Sequence, residues 1–491
     1  MSQGEENTSA SVQSYIDETP VWQDGTEVSG SPMTRMQWRI WSLAAAGKFF
    51  EGMVVFMTGV ALPLISRDWG LDPVQTGIVG AASLFGILIG ASMLGGLADR
   101  YGRRTIFIVE MALFCVFLAL LTVATGYWWL VLCLFGTGVA LGGDYPTAHL
   151  IISEAIPSRT RGKLVLSAFG FQAVGALVGT LIGYVVLSND PALDAWRWMY
   201  ASALIPAVLV LIGRFTITES APWLLSRNRT QEAENATLCL LNRNPPYPTH
   251  VVLEKAGLRH ETHGHRDGSR FRDLFNRRHR RATILASVPW FLQDLGTYGI
   301  GIFTPLVLAA SFGHAKDHPN SLSDLIGNEI LAAKGAAFLD VLLIVGILAA
   351  VLLADRLGRI RLQVLGFIGC AVGLFIASLA VGMSDPMATI LIFVGFMLFN
   401  FMTNMGPNAQ TYLLAGEVFP TAVRGRGAGF AASFAKIGAV TTVFLFPILL
   451  HQIGEQVLLW ILVGTSLMGA AVTWYCRVET TGVNLDEIGK S

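Results

Sequence analysis

The chain has 491 residues, 53% of them apolar and 14% charged, with a formal net charge of zero; an average soluble protein is about 25% charged. This balance excludes a soluble globular protein, leaves no electrostatic case for a nucleic-acid partner and, with a mean hydropathy of +0.55, indicates a polytopic protein of the lipid bilayer. The five cysteines (Cys115, Cys133, Cys239, Cys370, Cys476) show neither paired nor metal-type spacing, so no disulfide framework, metal or other cofactor is expected.

Residues 1–36 are polar and acidic (Glu5, Glu6, Asp17, Glu18, Asp24, Glu27) and read as a disordered tail. A membrane helix needs about 20 apolar residues. Twelve stretches qualify, at 39–65, 74–97, 105–125, 128–153, 164–188, 197–218, 282–312, 328–354, 362–383, 387–416, 427–452 and 456–476. They form one six-helix bundle over 37–218 and another over 282–476, joined by a polar linker loop at 219–281 and followed by a short tail at 477–491. Basic residues mark the side on which loops stay. Arg100, Arg103, Arg104, Arg159, Arg161, Lys163, Arg356, Arg359, Arg361, Arg424 and Arg426 all lie in even-numbered connections, and the 219–281 linker is also Arg-rich. Both termini and the linker are therefore expected to be cytoplasmic, in a multi-pass protein of the cell membrane.

The two bundles repeat. Glu154-x-x-Pro157-x-x-x-Arg161-Gly162 recurs as Glu417-x-x-Pro420-x-x-x-Arg424-Gly425, and Asp99-Arg100-Tyr-Gly102-Arg103 as Asp355-Arg356-Leu-Gly358-Arg359. Paired repeats of this kind place a substrate site between the halves, near the bilayer midplane. The loop charges Asp99, Arg100, Arg103, Arg104, Glu154, Arg161, Asp355, Arg356, Arg359, Glu417 and Arg424 read as gating groups. They would form ion pairs between helix ends in one access state that break in the other.

The seventh span carries Pro-Trp-Phe-Leu-Gln-Asp-Leu-Gly-Thr-Tyr-Gly from Pro289 to Gly299. Trp290, Asp294 and Tyr298 recur every fourth residue and share a helix face. A carboxylate at membrane depth is costly unless it is paired or faces water, so Asp294 is either a functional acid or a structural hydrogen-bonding one. Glu51, Glu110 and Asp144 are further intramembrane acids, the usual material of a proton path. Glu51 has a second reading, because Lys48 lies one turn before it and can neutralise it. His149, one turn past Tyr145, is either a proton relay or a packed, hydrogen-bonded imidazole.

These motifs resemble the major facilitator superfamily over roughly residues 37–487. Gly95-x-x-x-Asp99-Arg100-x-Gly102-Arg103-Arg104 is similar to its signature between helices 2 and 3, and Thr218-Glu219-Ser220-Ala221-Pro222 to its Pro-Glu-Ser motif after helix 6, with the first Pro absent. Gly142-Gly143-Asp144-Tyr145-Pro146, Gly406-Pro407-Asn408, Gly416-Glu417-Val418-Phe419-Pro420-Thr421, Ala435-Lys436-Ile437-Gly438 and the seventh-span segment resemble the phosphate:proton symporters within it. The resemblance implies an all-α integral membrane fold, twelve helices in two pseudo-symmetric bundles. It implies phosphate ligands at Tyr145, Gln172, Trp290, Asp294, Tyr298 and Asn408, positive charge from Lys436, and proton coupling by Asp144. The first span departs from that branch, carrying Lys48, Glu51 and Val54 where the branch has two acids, and Val351 replaces the first Gly of the second loop signature.

Tyr145, Gln172, Trp290, Tyr298 and Asn408 all offer donors to phosphate oxygens, and Asp294 donates when protonated or accepts from P–OH when ionised. Lys436 is a point charge suited to an anion or, alternatively, the partner of Asp294 or Asp144 in a plain buried ion pair. The expected activity is proton symport of a small anion, with inorganic phosphate first, by a monomer that alternates its access. A sugar or a small organic or aromatic acid is the alternative substrate, and a transporter-like nutrient receptor the alternative class. No P-loop, H-E-x-x-H or G-x-S-x-G motif occurs, so neither an ATP-driven pump nor an enzyme is expected.

Overall fold

With no water in the bilayer core, each spanning segment must satisfy its backbone internally, and the apolar stretches fold as helices. The structure is a computed structural model that describes residues 11–18, 33–243, 248, 250–253, 274–277, 279–313, 322–380, 383, 387–419, 423–478 and 480. The side chains of Asp99, Tyr145, Asp355 and Arg424 lie outside the described set. The helices are α1 (Val12–Asp17), α2 (Arg35–Asp68), α3 (Pro73–Tyr101), α4 (Arg103–Thr122), α5 (Tyr127–Ala155), α6 (Ser158–Asn189), α7 (Trp196–Arg214), α8 (Ala221–Ser226), α9 (Thr230–Leu240), α10 (Arg280–Gly313), α11 (Leu322–Leu357), α12 (Arg359–Ser378), α13 (Met387–Thr403), α14 (Ala409–Glu417) and α15 (Arg424–Tyr475).

Among the described residues, ten stretches are long and apolar enough to cross a membrane. One of them, α15, holds two expected spans in a single helical run kinked at Gly454 (φ 77°), and α10 supplies the seventh span. This gives the twelve expected crossings in two bundles. The halves mirror each other locally: Gly102 (φ 103°) and Gly358 (φ 87°) make the same sharp turn between consecutive spans, a left-handed conformation that glycine alone takes cheaply. Helix starts are set by capping: Thr34 with Gln37, and Asp72 with Gln75 followed by Pro73, form capping boxes.

α13 and α14 are one crossing, interrupted by a π-helical turn at Asn404–Asn408. Pro407 lacks an N–H and cannot continue the α-helical ladder, and the wide turn absorbs the mismatch. α2 and α6 touch backbone to backbone, with Gly175 against the Phe49 carbonyl and Gly52 against that of Gln172, so a side chain at either position would force them apart.

Two expectations need correction. Residues 12–17, placed in a disordered tail, form α1, whose Val12 and Ile16 are buried in a core shared with Leu240, Leu241, Val251 and Leu253. Asp17 accepts from the backbone N–H and the hydroxyl of Ser158, each at 2.7 Å, and Gln13 Oε1 accepts from Arg161 at 2.8 Å. The linker is not a plain loop in its first part, where α8 and α9 pack through Ala221, Leu224, Ala233 and Ala236. Thr34 donates to the Leu240 carbonyl at 2.6 Å, tying α9 to the start of α2. α1, α8, α9 and the end of α15 lie at one end of the bundle, the terminal end.

Candidate functional site

About halfway along α2, α6, α10 and the part of α15 before its kink at Gly454, four helices from both halves bring charged and polar side chains together. Lys436 on α15 donates to the Tyr298 hydroxyl at 2.6 Å and forms ion pairs with Glu51 Oε1 (3.5 Å) and Asp294 Oδ2 (3.6 Å). Gln172 Nε2 on α6 donates to Tyr298 Oη at 3.1 Å and to Glu51 Oε1 at 3.4 Å. Tyr298 in turn donates to Glu51 at 3.3 Å. Glu51 Oε2 is held by Lys48 at 2.5 Å, one turn earlier on α2. Lys48 thus neutralises one oxygen of Glu51, while the other enters the central network. Lys48, Glu51, Asp294 and Lys436 are all buried, so two cations face two carboxylates in a medium that tolerates no unpaired charge.

A small space adjoins this network, lined by Phe56, Gln172, Ala176, Thr297, Tyr298, Leu343 and Asn408 among others, with about 20 Å³ free, room for roughly one water. The π-turn delivers Asn404 and Asn408 to it. Asn408 donates to Asn404 at 2.6 Å, and Asn404 is anchored on the Leu343 carbonyl at 2.8 Å. On the terminal side stands an aromatic group: Tyr412 stacks on Phe169 (4.4 Å between centroids) and meets Trp290 edge-on at 6.2 Å. Trp290 is thus packed one turn below Asp294, not hydrogen-bonded to the Lys436 network. His149 Nδ1 lies 3.1 Å from the Tyr412 hydroxyl, the packed, hydrogen-bonded role. A larger cleft of about 570 Å³ between α3, α5 and α15 is lined by apolar and aromatic side chains such as Ile78, Phe85, Trp128 and Phe444; it can hold a hydrocarbon chain but presents no charge to an anion.

Asp144 sits apart from this network. Its carboxylate pairs at 2.5 Å with Arg214 at the end of α7, and Arg214 also donates to the Phe107 carbonyl at 2.6 Å and covers the Phe107 ring at 3.5 Å. Glu110 is buried nearby on α4 and accepts from Thr147 at 3.1 Å. These two acids belong to the interior of the first half. Lys436 takes Glu51 and Asp294 as partners, and Asp144 takes Arg214.

Two ion pairs of the expected kind, between helix ends, are formed by the loop charges. Arg103 pairs with Glu154 and Arg359 with Glu417, both at 3.5 Å, so equivalent residues of the two repeats make the same contact. Each pair lies within one half, where it ties neighbouring helix ends into a rigid unit. Among the described residues, two ion pairs cross between the halves: Lys436 with Glu51 at 3.5 Å and, at the end away from the termini, Arg67 with Glu329 at 3.7 Å. Arg104 donates to the Phe215 carbonyl at 2.8 Å while its backbone N–H is capped by Glu219 at 3.0 Å. Ser220 donates to Glu154 at 2.6 Å, so the Thr218-Glu219-Ser220 motif clasps the first loop signature. Arg161 binds α1, and Arg100 and Arg356 are exposed.

Sequence reasoning missed Arg214, Asn404 and Tyr412. Asp144 gave the one available signal for Arg214, since a buried acid needs a cation, and Arg214 is a basic residue at the end of an apolar span.

Comparisons place this geometry in a family. Residues 31–491 match the family described as sugar (and other) transporter. The inner membrane metabolite transport protein YgcS of Escherichia coli is 30% identical, covering 93% of this chain and 95% of its own. The niacin transporter NiaP of Acinetobacter baylyi is 25% identical (94% and 99%), and the putative inorganic phosphate transporter C1683.01 of Schizosaccharomyces pombe is 26% identical (93% and 89%). The solved structure of the proton:xylose symporter XylE matches with a TM-score of 0.71 over 93% of this chain and 98% of that one, at 20% identity. With its twelve crossings and its two repeated halves, the chain belongs to the sugar (and other) transporter family of the major facilitator superfamily, multi-pass membrane carriers rather than enzymes.

Proposed function

We propose that this carrier is a proton symporter of a small anion, inorganic phosphate first, working as a monomer by alternating access. The observation that carries the reading is Lys436, a buried cation at the junction of the halves that touches Tyr298, Glu51 and Asp294 at once. Two cations and two carboxylates balance. An entering monoanion would leave one uncompensated negative charge in a low-dielectric site, and a proton taken up by Asp294 or Glu51 cancels it. The anion displaces a carboxylate from Lys436 and takes donors from Gln172, Tyr298 and Asn408, with Tyr145 and Trp290 completing its shell. Asp144 and Glu110 extend the proton path through the first half. The Arg103–Glu154 and Arg359–Glu417 pairs keep each half rigid as it rocks. Both termini face the cytoplasm of a cell membrane, as the basic loops require.

The relative named as a putative phosphate transporter supports this reading. A small aromatic acid is the second reading, favoured by the Phe169–Tyr412–Trp290 group beside Lys436 and by the niacin-transporting relative. Uptake of radiolabelled phosphate into proteoliposomes, with and without an inward proton gradient and with nicotinate or xylose as competitor, tests both. Gradient-dependent phosphate accumulation blocked by neither competitor supports phosphate; inhibition by nicotinate alone moves the substrate to the aromatic acids. Saturable binding without uptake would make the protein a receptor.

A further inference from the structure

Asp340, in the middle of α11, is buried and faces Thr180 of α6, in the other half of the molecule. Thr180 Oγ1 lies 2.5 Å from Asp340 Oδ2 and 2.6 Å from the carbonyl oxygen of Ala176, one turn back on α6. A hydroxyl has one proton to give, and a carbonyl oxygen can only accept. Thr180 can therefore serve only one of the two contacts fully: when it donates to Ala176, the 2.5 Å contact is made by a proton on the Asp340 carboxyl, and when Asp340 is ionised the two acceptors compete for the single hydroxyl proton. From this proton count we infer that Asp340 is a proton-binding latch between the halves: with its proton it bonds Thr180 and holds them together on the side away from the termini, and without it the contact lets go.

The surroundings fit a group that gains and loses a proton rather than one paired for good. Among the described residues Asp340 forms no ion pair. On α6 the ionisable neighbour is Tyr184, one turn past Thr180. α13 has no ionisable side chain and pins α11 through Asn400, which donates to the Leu339 carbonyl at 3.1 Å. On α11 itself Lys334 is exposed, and Glu329, about three turns away on the same face, is occupied by Arg67 of α2. Asp294 and Lys436, from α10 and α15, are engaged with each other in the central network.

The latch also adjoins the substrate space. Ala176, whose carbonyl completes the chain, and Leu343, one turn from Asp340, both line it. When the Asp340 Oδ2–H bond breaks, the proton passes to water entering from the side away from the termini. The carboxylate that remains cannot donate to Thr180, and a buried unpaired charge favours separation of α6 from α11 and hydration of both. Access to the substrate space is thereby tied to protonation at a position outside the binding network. This latch rests on the alternating-access reading above, but it does not depend on which substrate is carried.

The test is a distance measurement that uses no substrate. Spin labels at Asp190→Cys and Gln452→Cys, exposed at the end away from the termini on opposite halves, report their separation by double electron–electron resonance in the full chain freed of its five native cysteines and held in nanodiscs. From about pH 5 to about pH 9 the short-distance population is expected to fall at least about twofold. Asp340→Asn, whose amide donates to Thr180 at every pH, is expected to keep the low-pH distribution throughout. Thr180→Val is expected to lose the pH response, and Thr180→Ser, which keeps the hydroxyl, to retain it. The latch is overturned if the parent shows no shift, if Asp340→Asn titrates like the parent, or if Thr180→Val and Thr180→Ser behave alike. Failure of phosphate uptake in liposomes, by contrast, would remove the anion reading and leave these distances unchanged.

Discussion

Lys436 and Glu51 form an ion pair at 3.5 Å across the boundary between the halves, and both are buried. One ammonium on α15 thereby joins the second half to α2 of the first, at the proposed substrate site. The pair is loose by hydrogen-bond standards, whereas Glu51 is gripped by its own neighbour Lys48 at 2.5 Å. A cation held this way can be taken over by an incoming anion without leaving Glu51 unpaired.

The first prediction follows from that asymmetry. Lys436→Met removes the fixed cation; Glu51 retains Lys48, and Asp294, which loses its ion-pair partner, escapes the cost of about 3–5 kcal/mol for an orphaned buried carboxylate by binding a proton. The variant is expected to fold and to reach the membrane. Its half-saturation for phosphate is expected to rise at least about tenfold, the order expected for loss of a charge-assisted contact. Transport kinetics in proteoliposomes check this, and an unchanged half-saturation would remove Lys436 from the site.

Arg214 and Asp144 carry a second prediction, this one about stability. Arg214 is fully buried and Asp144 nearly so, with the two 2.5 Å apart. Arg214→Met leaves an uncompensated carboxylate and is expected to destabilise the first half by about 3–5 kcal/mol, while the pair Arg214→Met with Asp144→Leu recovers most of that loss. Thermal unfolding in detergent, followed by tryptophan fluorescence, gives the three melting points. A single variant no worse than the double would show that the pair holds nothing.

Much of this architecture is legible in the chain because hydropathy and membrane thickness leave few options. Each of the twelve expected spans is helical over most of its described length, and the repeated Gly102 and Gly358 turns lie where the loop signatures recur. What could not be read depends on tertiary partners. A boundary between the last two spans is visible in the polar residues around Gly454, but its form is not: two helices abut there with a single glycine at φ 77° between them, a geometry set by how they pack. Asn404 stands four residues before Asn408, the interval of one helix face, but the π-turn that carries both to the central space is not legible in the spacing. α1 is hidden by its acidic flanks, although Val12 and Ile16 stand four residues apart, the interval of one helix face. The phosphate-like motifs mark the central residues, and the loop charges are equally visible, but which charge pairs with which is a matter of packing.

α1 gives a prediction in pH. Burial alone would raise the Asp17 carboxyl, but hydrogen bonds from the Ser158 N–H and hydroxyl and from Gln13, with the Arg161 charge, hold it below its usual value. A carboxyl depressed in the folded state adds stability above its unfolded value, about 3.9, and loses it as pH falls through the lower folded value. Docking of α1 is therefore expected to be intact at neutral pH and to weaken below about pH 4. Asp17→Asn is expected to loosen α1 at every pH. Limited proteolysis near residues 11–18 reads both, and equal protection of parent and variant at neutral pH would contradict the assignment.

The last prediction separates coupling from binding. Asp294 stands in the Lys436 network, 3.6 Å from the ammonium, while Asp144 lies outside it, against Arg214. Asn keeps the shape and the hydrogen-bonding capacity of Asp but cannot carry a transferable proton. In the proposed coupling Asp294→Asn removes both a proton carrier and a partner of Lys436, and is expected to impair gradient-driven uptake and substrate counterflow together. In the same proposed coupling Asp144→Asn removes a proton carrier but no partner of Lys436, so accumulation is expected to fail while counterflow partly survives. Because Asp144→Asn also leaves Arg214 without its carboxylate, a monodisperse elution profile is needed to show that the loss is not one of folding. Should Asp144→Asn accumulate substrate with the parent's pH dependence, coupling would pass to Glu51 or Glu110, or to Asp294 acting alone beside Lys436.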